Sequence, residues 1–544
     1  MRSHPVRRLC VPLAAVLVAL VLTGSAPPSA GRTRAAAAGS LPADLDRLFE
    51  DPRLTGAQVS AVVADAATGE VLYRHAPGAL MLPASTLKTV TAAAALDLLG
   101  AGHRFGTDVL AAGRRDGATL DGDLVLRGGG DPSLLPADLD ALARQVADSG
   151  VSTVSGGVLA DTSRYDGVPL GPNWAWDDQA AYYSPQISAL TLATDTDYDP
   201  GTVRLTLTPG RAPGQPATVR VTPSDAPVRL TGRIATGEAG SDRTVDVSRQ
   251  PATNELVLTG SVPADGGTSE EWVAVDDPAR LAATVFAADL ARHGVAVHGQ
   301  VGAGRAPADA TALAHHDSAP LSALMVPFLK LSNNGIAEHL VKEIGRVRGG
   351  AGSWSAGLDR ITDFVHRNGL DVTAGRQADG SGLSRHNLMT AQRLLKLLEF
   401  ARTQPWFATW YDALPVAGDP RRMVGGSLSN RLTGTPAEGR VHAKTGSMTG
   451  VDALAGYLDR PDGHTLAFTV LLNNFAGSSP RPVIDAFVLR LLGDTATAAG
   501  AGTAGTGTTG AGAGAGAGAA ADGHRTRSRS PHDWENACSV SSRC

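Results

Sequence analysis

The chain has 544 residues, 43% of them hydrophobic and 19% charged, enough apolar material for more than one core. A formal charge of −5 gives no reason to expect nucleic-acid binding. The cysteines are Cys10, Cys538 and Cys544, all near the termini, so the body of the chain has neither a disulfide framework nor a thiol nucleophile.

In chain order, residues 1–38 place Arg2, His4, Arg7 and Arg8 ahead of an apolar run over 11–22, then small residues at 24–26 and 36–38, the pattern of an export signal. The run is too short to span a bilayer comfortably, so no stable transmembrane anchor is expected, and Cys10 precedes it, unlike a lipoprotein cysteine. Residues 59–65 and 70–74 are β-rich around Ala66-Ala67-Thr68-Gly69 and predict a hairpin. Next comes Pro83-Ala84-Ser85-Thr86-Leu87-Lys88, opening a helix that runs through the alanines at 92–95 and closes at Gly100. Three residues apart on one face, the Lys88 amine can reach the Ser85 hydroxyl and take its proton once burial or nearby positive charge favours the neutral amine. The bland alternative is a helix cap followed by a solvated lysine. Against it, only five of the 48 basic residues are lysine. Arginine serves as well on a surface and cannot act as a base.

Residues 105–304 change texture to short β-like runs rich in Gly and Pro, which reads as an insertion. Within it, 122–133 is a strand entering a glycine turn that lacks the Gly-Lys-Ser/Thr ending of a phosphate loop. Residues 202–262 alternate, as in Val203, Leu205, Leu207, and predict a small all-β unit; 278–293 predict a helix closed by Gly294. A second polar cluster, Lys330-Leu331-Ser332-Asn333-Asn334, precedes a helix over 335–342. Ser332 offers a hydroxyl that can relay a proton, and Asn334 a donor and an acceptor for a peptide-like substrate. His315-His316, without ligands at metal spacing, is expected to be a solvated loop. The apolar spacing over 388–400 predicts a core-facing helix, with Trp406 and Trp410 packing near it. A third cluster, Val441-His442-Ala443-Lys444-Thr445-Gly446-Ser447, predicts a strand whose glycine lets another backbone approach. Lys444 can attract a carboxylate there, and Thr445 and Ser447 can hydrogen-bond it. Strands over 454–458 and 466–472 and a helix over 483–492 follow. The Ala-Gly-Thr repeats from 495 to a basic stretch at 524–529 cannot bury a core and predict a disordered tail, in which Cys538 and Cys544 could pair after export.

Taken together, Ser85-x-x-Lys88, Ser332-x-Asn334 and Lys444-Thr445-Gly446, in that order, resemble the three motifs of penicillin-binding proteins and serine β-lactamases. The long gap between the first two motifs resembles the D-Ala-D-Ala carboxypeptidase/endopeptidase group of class C low-molecular-mass type, whose catalytic domain is interrupted by inserted domains. Further matches are Gly122-Asp123-Leu124, Gly130-Asp131-Pro132, Asp177-Asp178 with Tyr182-Tyr183-Ser184-Pro185, and Asp379-Gly380-Ser381-Gly382-Leu383-Ser384-Arg385. The resemblance covers about residues 45–493.

The fold so implied is α+β: a β-lactamase/transpeptidase-like catalytic domain, an antiparallel sheet flanked by helices, with two inserted β-rich domains. The expected layout is a signal peptide (1–38), a discontinuous catalytic domain (39–104 and 305–494), one inserted domain (105–200 and 273–304), a second (201–272), and the tail (495–544). The resemblance implies that Ser85 is acylated by peptidoglycan stem peptides and by β-lactams, with Lys88 as base and neither metal nor other cofactor. It further implies that Ser332 and Lys444 return a proton to the leaving D-alanine and that Asn334 holds the substrate amide. The backbone N–H groups of Ser85 and Ser447 would form the oxyanion hole, and Thr445 and Ser447 would bind the terminal carboxylate, with Gly446 between them. Trp174, Asp177, Tyr182, Leu383, Arg385 and Met448 match a pocket for a diaminopimelate side chain, Asp177 facing its ammonium and Arg385 its carboxylate. The implied location is secreted, extracytoplasmic and associated with the cell wall. A serine β-lactamase is the alternative within enzymes, disfavoured by the insertion and the lack of a recognisable deacylating glutamate motif. A catalytically silent cell-wall-binding protein is the alternative outside them, although all three motifs keep competent side chains.

Overall fold

The computed structural model describes residues 40–371 and 374–493. The export signal, the tail and all three cysteines lie outside the described residues.

Two distant pieces of chain build the central sheet. Its strand order is Val441–Met448, Val451–Asp459, Thr465–Asn473, Gln58–Asp65, Val71–His75, each antiparallel to its neighbour. The expected N-terminal hairpin is therefore the edge of a sheet whose other strands come nearly 400 residues later, and Gln58 pairs with Asn473. On one face, helices Leu41–Leu48 and Arg481–Leu491 cover Val63, Phe468 and Val470. Against the other face lies helix Lys88–Leu98, of which every residue but Asp97 is buried. Its small, apolar sides leave no polar stripe, so it is enclosed by neighbours rather than laid on a surface. Helices Leu321–Lys330, Asn334–Arg348 and Ala391–Ala401 supply them, sharing one core that includes Val90, Phe328, Ile336, Leu340 and Leu394. Trp406 and Trp410 are buried in that core, as the sequence spacing predicts.

Helix Asn334–Arg348 starts one residue earlier than expected and runs six further. Asn333 caps it, its Oδ1 accepting from the Ile336 N–H at 2.8 Å. Helix Pro278–Arg292 matches expectation, with Asp277 as its cap and Gly294 at φ +80° beyond its end.

The inserted segment forms a separate sheet in the order Ala296–Val297, Thr153–Val154, Thr119–Gly128, Gly106–Asp116, Thr311–Asp317. Thr311–Asp317 pairs antiparallel with Gly106–Asp116, so the inserted sheet passes the expected boundary at 305. His315 and His316 are thus on a paired strand, not in a solvated loop, and the His315 ring sits 2.7 Å from Asp108. Strand Ser269–Ala274 crosses the other expected boundary, between 272 and 273, because it pairs with Thr202–Thr208. Val109 and Leu124 of the first inserted unit share one buried cluster with Leu205 and Leu256 of the second. Among the described residues, no helix is long and apolar enough to cross a membrane.

Candidate active site

Ser85 lies in a 3-10 turn, Ala84–Leu87, that runs directly into helix Lys88–Leu98. Residues three apart eclipse in such a turn, which brings Lys88 Nζ to 2.8 Å from Ser85 Oγ. The turn is held from both sides. Asn473 accepts from the Leu82 N–H at 2.7 Å and donates to the Leu82 carbonyl at 3.1 Å, while Thr86 Oγ1 donates to the Pro83 carbonyl at 2.6 Å.

Lys88 is fully buried; its Nζ donates to Ser85 Oγ and also to two obligate acceptors, Asn334 Oδ1 at 2.6 Å and the Ser381 carbonyl at 2.7 Å. A neutral amine has two N–H bonds and one lone pair. Once deprotonated, an amine that keeps both N–H bonds on these acceptors would turn its lone pair to the Ser85 hydroxyl. The other end of the Asn334 amide also meets the protein, its Nδ2 donating to the Tyr183 carbonyl at 2.7 Å. Asn334 here holds Lys88 and ties it to the inserted segment.

Ser332 is buried in a left-handed conformation, φ +59°, and its Oγ has no hydrogen-bond partner. Its neighbour Asn333 fixes that conformation by donating to the Asp197 and Tyr198 carbonyls at 3.1 and 2.8 Å and to Asp199 Oδ1 at 3.0 Å. Lys330, two residues before, is buried and donates to the Leu414 carbonyl. Burial pushes its pKa down to about 8, against the pull of Asp412 and Asp419.

The third motif lies on the edge strand Val441–Met448. Gly446 is where it meets the nucleophile turn: a Cβ there would stand 2.7 Å from the Pro83 carbonyl oxygen and 3.2 Å from Ala84 Cβ. Lys444 is buried and donates to the Thr445 carbonyl at 2.9 Å; Thr445 Oγ1 donates to Ser427 Oγ at 2.7 Å. The Ser447 hydroxyl donates to Asp452 Oδ1 at 3.0 Å and accepts from Arg481 Nη2 at 2.7 Å. The expected carboxylate contact from Ser447 therefore requires its hydroxyl to leave Asp452.

Of the expected side-chain pocket, Trp174, Tyr182, Leu383 and Met448 are half-buried and Asp177 and Arg385 exposed. Trp174 Nε1 donates to Asp379 Oδ2 at 3.1 Å, and Arg385 Nη2 to the Thr449 carbonyl at 2.7 Å. The Asp178 pKa is raised, chiefly by burial and then by the Asp177 charge, against its bond from Tyr183 and the Arg385 charge. Sequence reasoning missed Glu338, Asn473 and Arg481. Glu338 alone had a signal, lying four residues after Asn334 on a predicted helix and thus on the same face.

A family model described as D-Ala-D-Ala carboxypeptidase 3 (S13) matches residues 41–492. The chain is 45% identical over 491 residues to a D-alanyl-D-alanine carboxypeptidase of Actinomadura sp. (strain R39), covering 89% of this chain and 90% of that protein. It is 26% identical over 426 residues to D-alanyl-D-alanine carboxypeptidase DacB of Haemophilus influenzae, covering 77% and 86%. Penicillin binding protein 4 of Haemophilus influenzae has a similar solved structure, with a TM-score of 0.72 at 25% identity over 83% of this chain and 98% of that one.

Proposed function

The chain belongs to the D-Ala-D-Ala carboxypeptidase 3 (S13) family, and from that membership and the geometry above we propose how its residues remove the terminal D-alanine of peptidoglycan stem peptides. The Ser85 Oγ attacks the carbonyl between the two D-alanines as its proton passes to the Lys88 lone pair. The backbone N–H groups of Ser85 and Ser447 receive the negative charge on the carbonyl oxygen, where preorganised donors act most strongly. As the tetrahedral intermediate collapses, the C–N bond breaks, and Ser332 delivers a proton to the departing D-alanine amine while taking one in turn from the Lys444 ammonium. Water then attacks the acyl-enzyme, its proton returning to Lys444, and the proton held by Lys88 goes back to Ser85. A β-lactam enters the same first step, but its leaving amine stays tethered, so the adduct persists.

The observation that carries this reading is the Lys88 amine, 2.8 Å from Ser85 Oγ and also bonded to the Asn334 Oδ1 and Ser381 carbonyl acceptors. The unpartnered Ser332 Oγ supports the relay, since a buried hydroxyl without a partner costs stability unless a substrate uses it. Mass analysis of a D-Ala-D-Ala-terminated pentapeptide tests it. Loss of one alanine residue with the wild type and none with Ser85→Ala is expected; loss with both would overturn it. Scission of a crosslinked dimer in the same assay marks endopeptidase activity.

The side-chain pocket belongs to the same proposal. Asp177 is placed for the ammonium of a diaminopimelate side chain and Arg385 for its carboxylate, with Trp174, Tyr182, Leu383 and Met448 along the stem. Asp177→Ala should cut kcat/KM for a diaminopimelate peptide about tenfold or more, the worth of one charge-assisted hydrogen bond, and leave a simple diacyl substrate nearly unchanged. Equal losses on both substrates remove the pocket. Export by residues 1–38 into the wall compartment completes the reading; a reporter fused after residue 38 should appear outside the cytoplasm.

A further inference from the structure

Behind the base sits a buried carboxyl that the mechanism above does not use. Glu338 lies on helix Asn334–Arg348, one turn after Asn334 and fully buried. Its Oε1 accepts from the Ser381 N–H at 2.8 Å, and its Oε2 from the Gly380 N–H at 2.9 Å and from Trp354 Nε1 at 2.7 Å. Three donors converge on it, and each of them requires an acceptor. The two backbone donors belong to the loop whose Ser381 carbonyl accepts from Lys88. On the loop's far side, Asp379 Oδ1 accepts from the Gly382 N–H at 2.9 Å, in the same peptide unit as that carbonyl. Thr91 Oγ1 adds a bond at 2.7 Å to the Gly380 carbonyl from the nucleophile helix. The orientation of the Ser381 carbonyl is thus set by two buried carboxyl groups and one hydroxyl.

We propose that Glu338 is a positioning residue for the base: by holding the Gly380 and Ser381 amides it aims the Ser381 carbonyl at Lys88, and so turns the Lys88 lone pair toward Ser85. The inference rests on Lys88 being the base. One helix then supplies both fixed acceptors' supports, Asn334 touching the amine directly and Glu338 acting through the loop.

Ionisation gates this arrangement. A protonated Glu338 presents an O–H where the loop presents N–H, so two donors meet and the loop loses a hold. Burial first, and Asp379 second, raise the Glu338 pKa to about 7, while the bonds from Ser381, Trp354 and Gly380 oppose them. The other titratable groups facing it are Lys342 one turn along the same helix, paired with Asp166 at 2.6 Å and lying 4.0 Å over the Trp354 ring, and Lys88 across the loop. The anionic form is the one that accepts from all three donors and so orders the loop.

The test is the rate of acylation by a labelled penicillin against pH, run on the wild type and on Glu338→Gln and Trp354→Phe, with melting curves confirming that each folds. Glu338→Gln should lower the plateau rate about tenfold, leave the initial binding constant within about threefold, and remove one proton from the steepness of the acid limb. Trp354→Phe deletes a bond that favours the anion, so the limb should move to higher pH while its steepness stays. Should Glu338→Gln misfold, Trp354→Phe decides alone. A limb unchanged in steepness in the first variant, or unmoved in the second, overturns the proposal. Lys88→Arg separates the two readings: if it still acylates at the wild-type rate, the base assignment fails, whereas its inactivity together with unchanged profiles removes the Glu338 role alone.

Discussion

Asn334→Asp changes one buried atom type and leaves the shape intact, yet it should change the chemistry of Lys88. The new carboxylate would stand where Asn334 Oδ1 now accepts from Nζ at 2.6 Å. An opposite charge at such range favours the ammonium and typically shifts a pKa by about 1–3 units, roughly 1.4–4 kcal/mol. At a pH below the wild-type Lys88 pKa, the neutral fraction then falls about 10–1,000-fold, and acylation by a labelled penicillin slows accordingly. Raising the pH should restore the rate, because the acid limb moves up by the same 1–3 or so units. The second carboxylate oxygen would face the Tyr183 carbonyl, which loses its donor at 2.7 Å and costs about 1–3 kcal/mol of stability, visible as a lower melting temperature. Asn334→Ala is the control: it removes the bond without adding charge, so its rate falls with no upward move of the limb. An Asn334→Asp variant that is slow at every pH with an unmoved limb would refute the neutral-amine mechanism.

Two further outcomes follow from local geometry. Gly382 has φ +90°, and a Cβ there would stand 2.0 Å from the Ala84 carbonyl oxygen and 3.2 Å from the Ser85 N. Gly382→Ala should therefore displace the nucleophile turn; a shift of about 1 Å costs on the order of 100-fold in acylation rate, and a rate within threefold of wild type would contradict the close packing. Far from the site, the Asp65 carboxyl is held down to about 2, chiefly by the Thr68 N–H, then by His464. A depressed folded-state value stabilises the fold above the unfolded pKa near 4, and that contribution is lost as pH falls from about 4 toward 2. Denaturant midpoints should thus drop more for wild type than for Asp65→Asn between pH 6 and pH 2.5, and parallel drops would refute the linkage.

What the sequence disclosed, it disclosed through local patterns. Pro278 and Gly294 punctuate their helix visibly, the 66–69 turn marks the hairpin, and each of the three motifs is a short string of residues. What stayed hidden depends on partners far along the chain. His315-His316 reads as a loop because the pair carries no period of its own; only the pairing of Thr311–Asp317 with Gly106–Asp116 places it on a strand. Asn334 and Ser447 look available for substrate in a string of letters, but Tyr183, Asp452 and Arg481 already engage them. The scarcity of lysine proved informative in an unexpected way. Lys88, Lys330, Lys342 and Lys444 are all buried, and Lys396 alone is half-buried. Rarity therefore signalled burial in this chain, and the chemistry of two of the four had to come from their neighbours: Lys330 holds the Leu414 carbonyl and Lys342 pairs with Asp166.

The most direct test of the account is peptide mapping after incubation with labelled benzylpenicillin. It predicts one stable adduct per chain, on the peptide that carries Ser85, absent from Ser85→Ala and strongly slowed in Lys88→Met. An adduct on any other residue, or labelling of either variant at the wild-type rate, would contradict it.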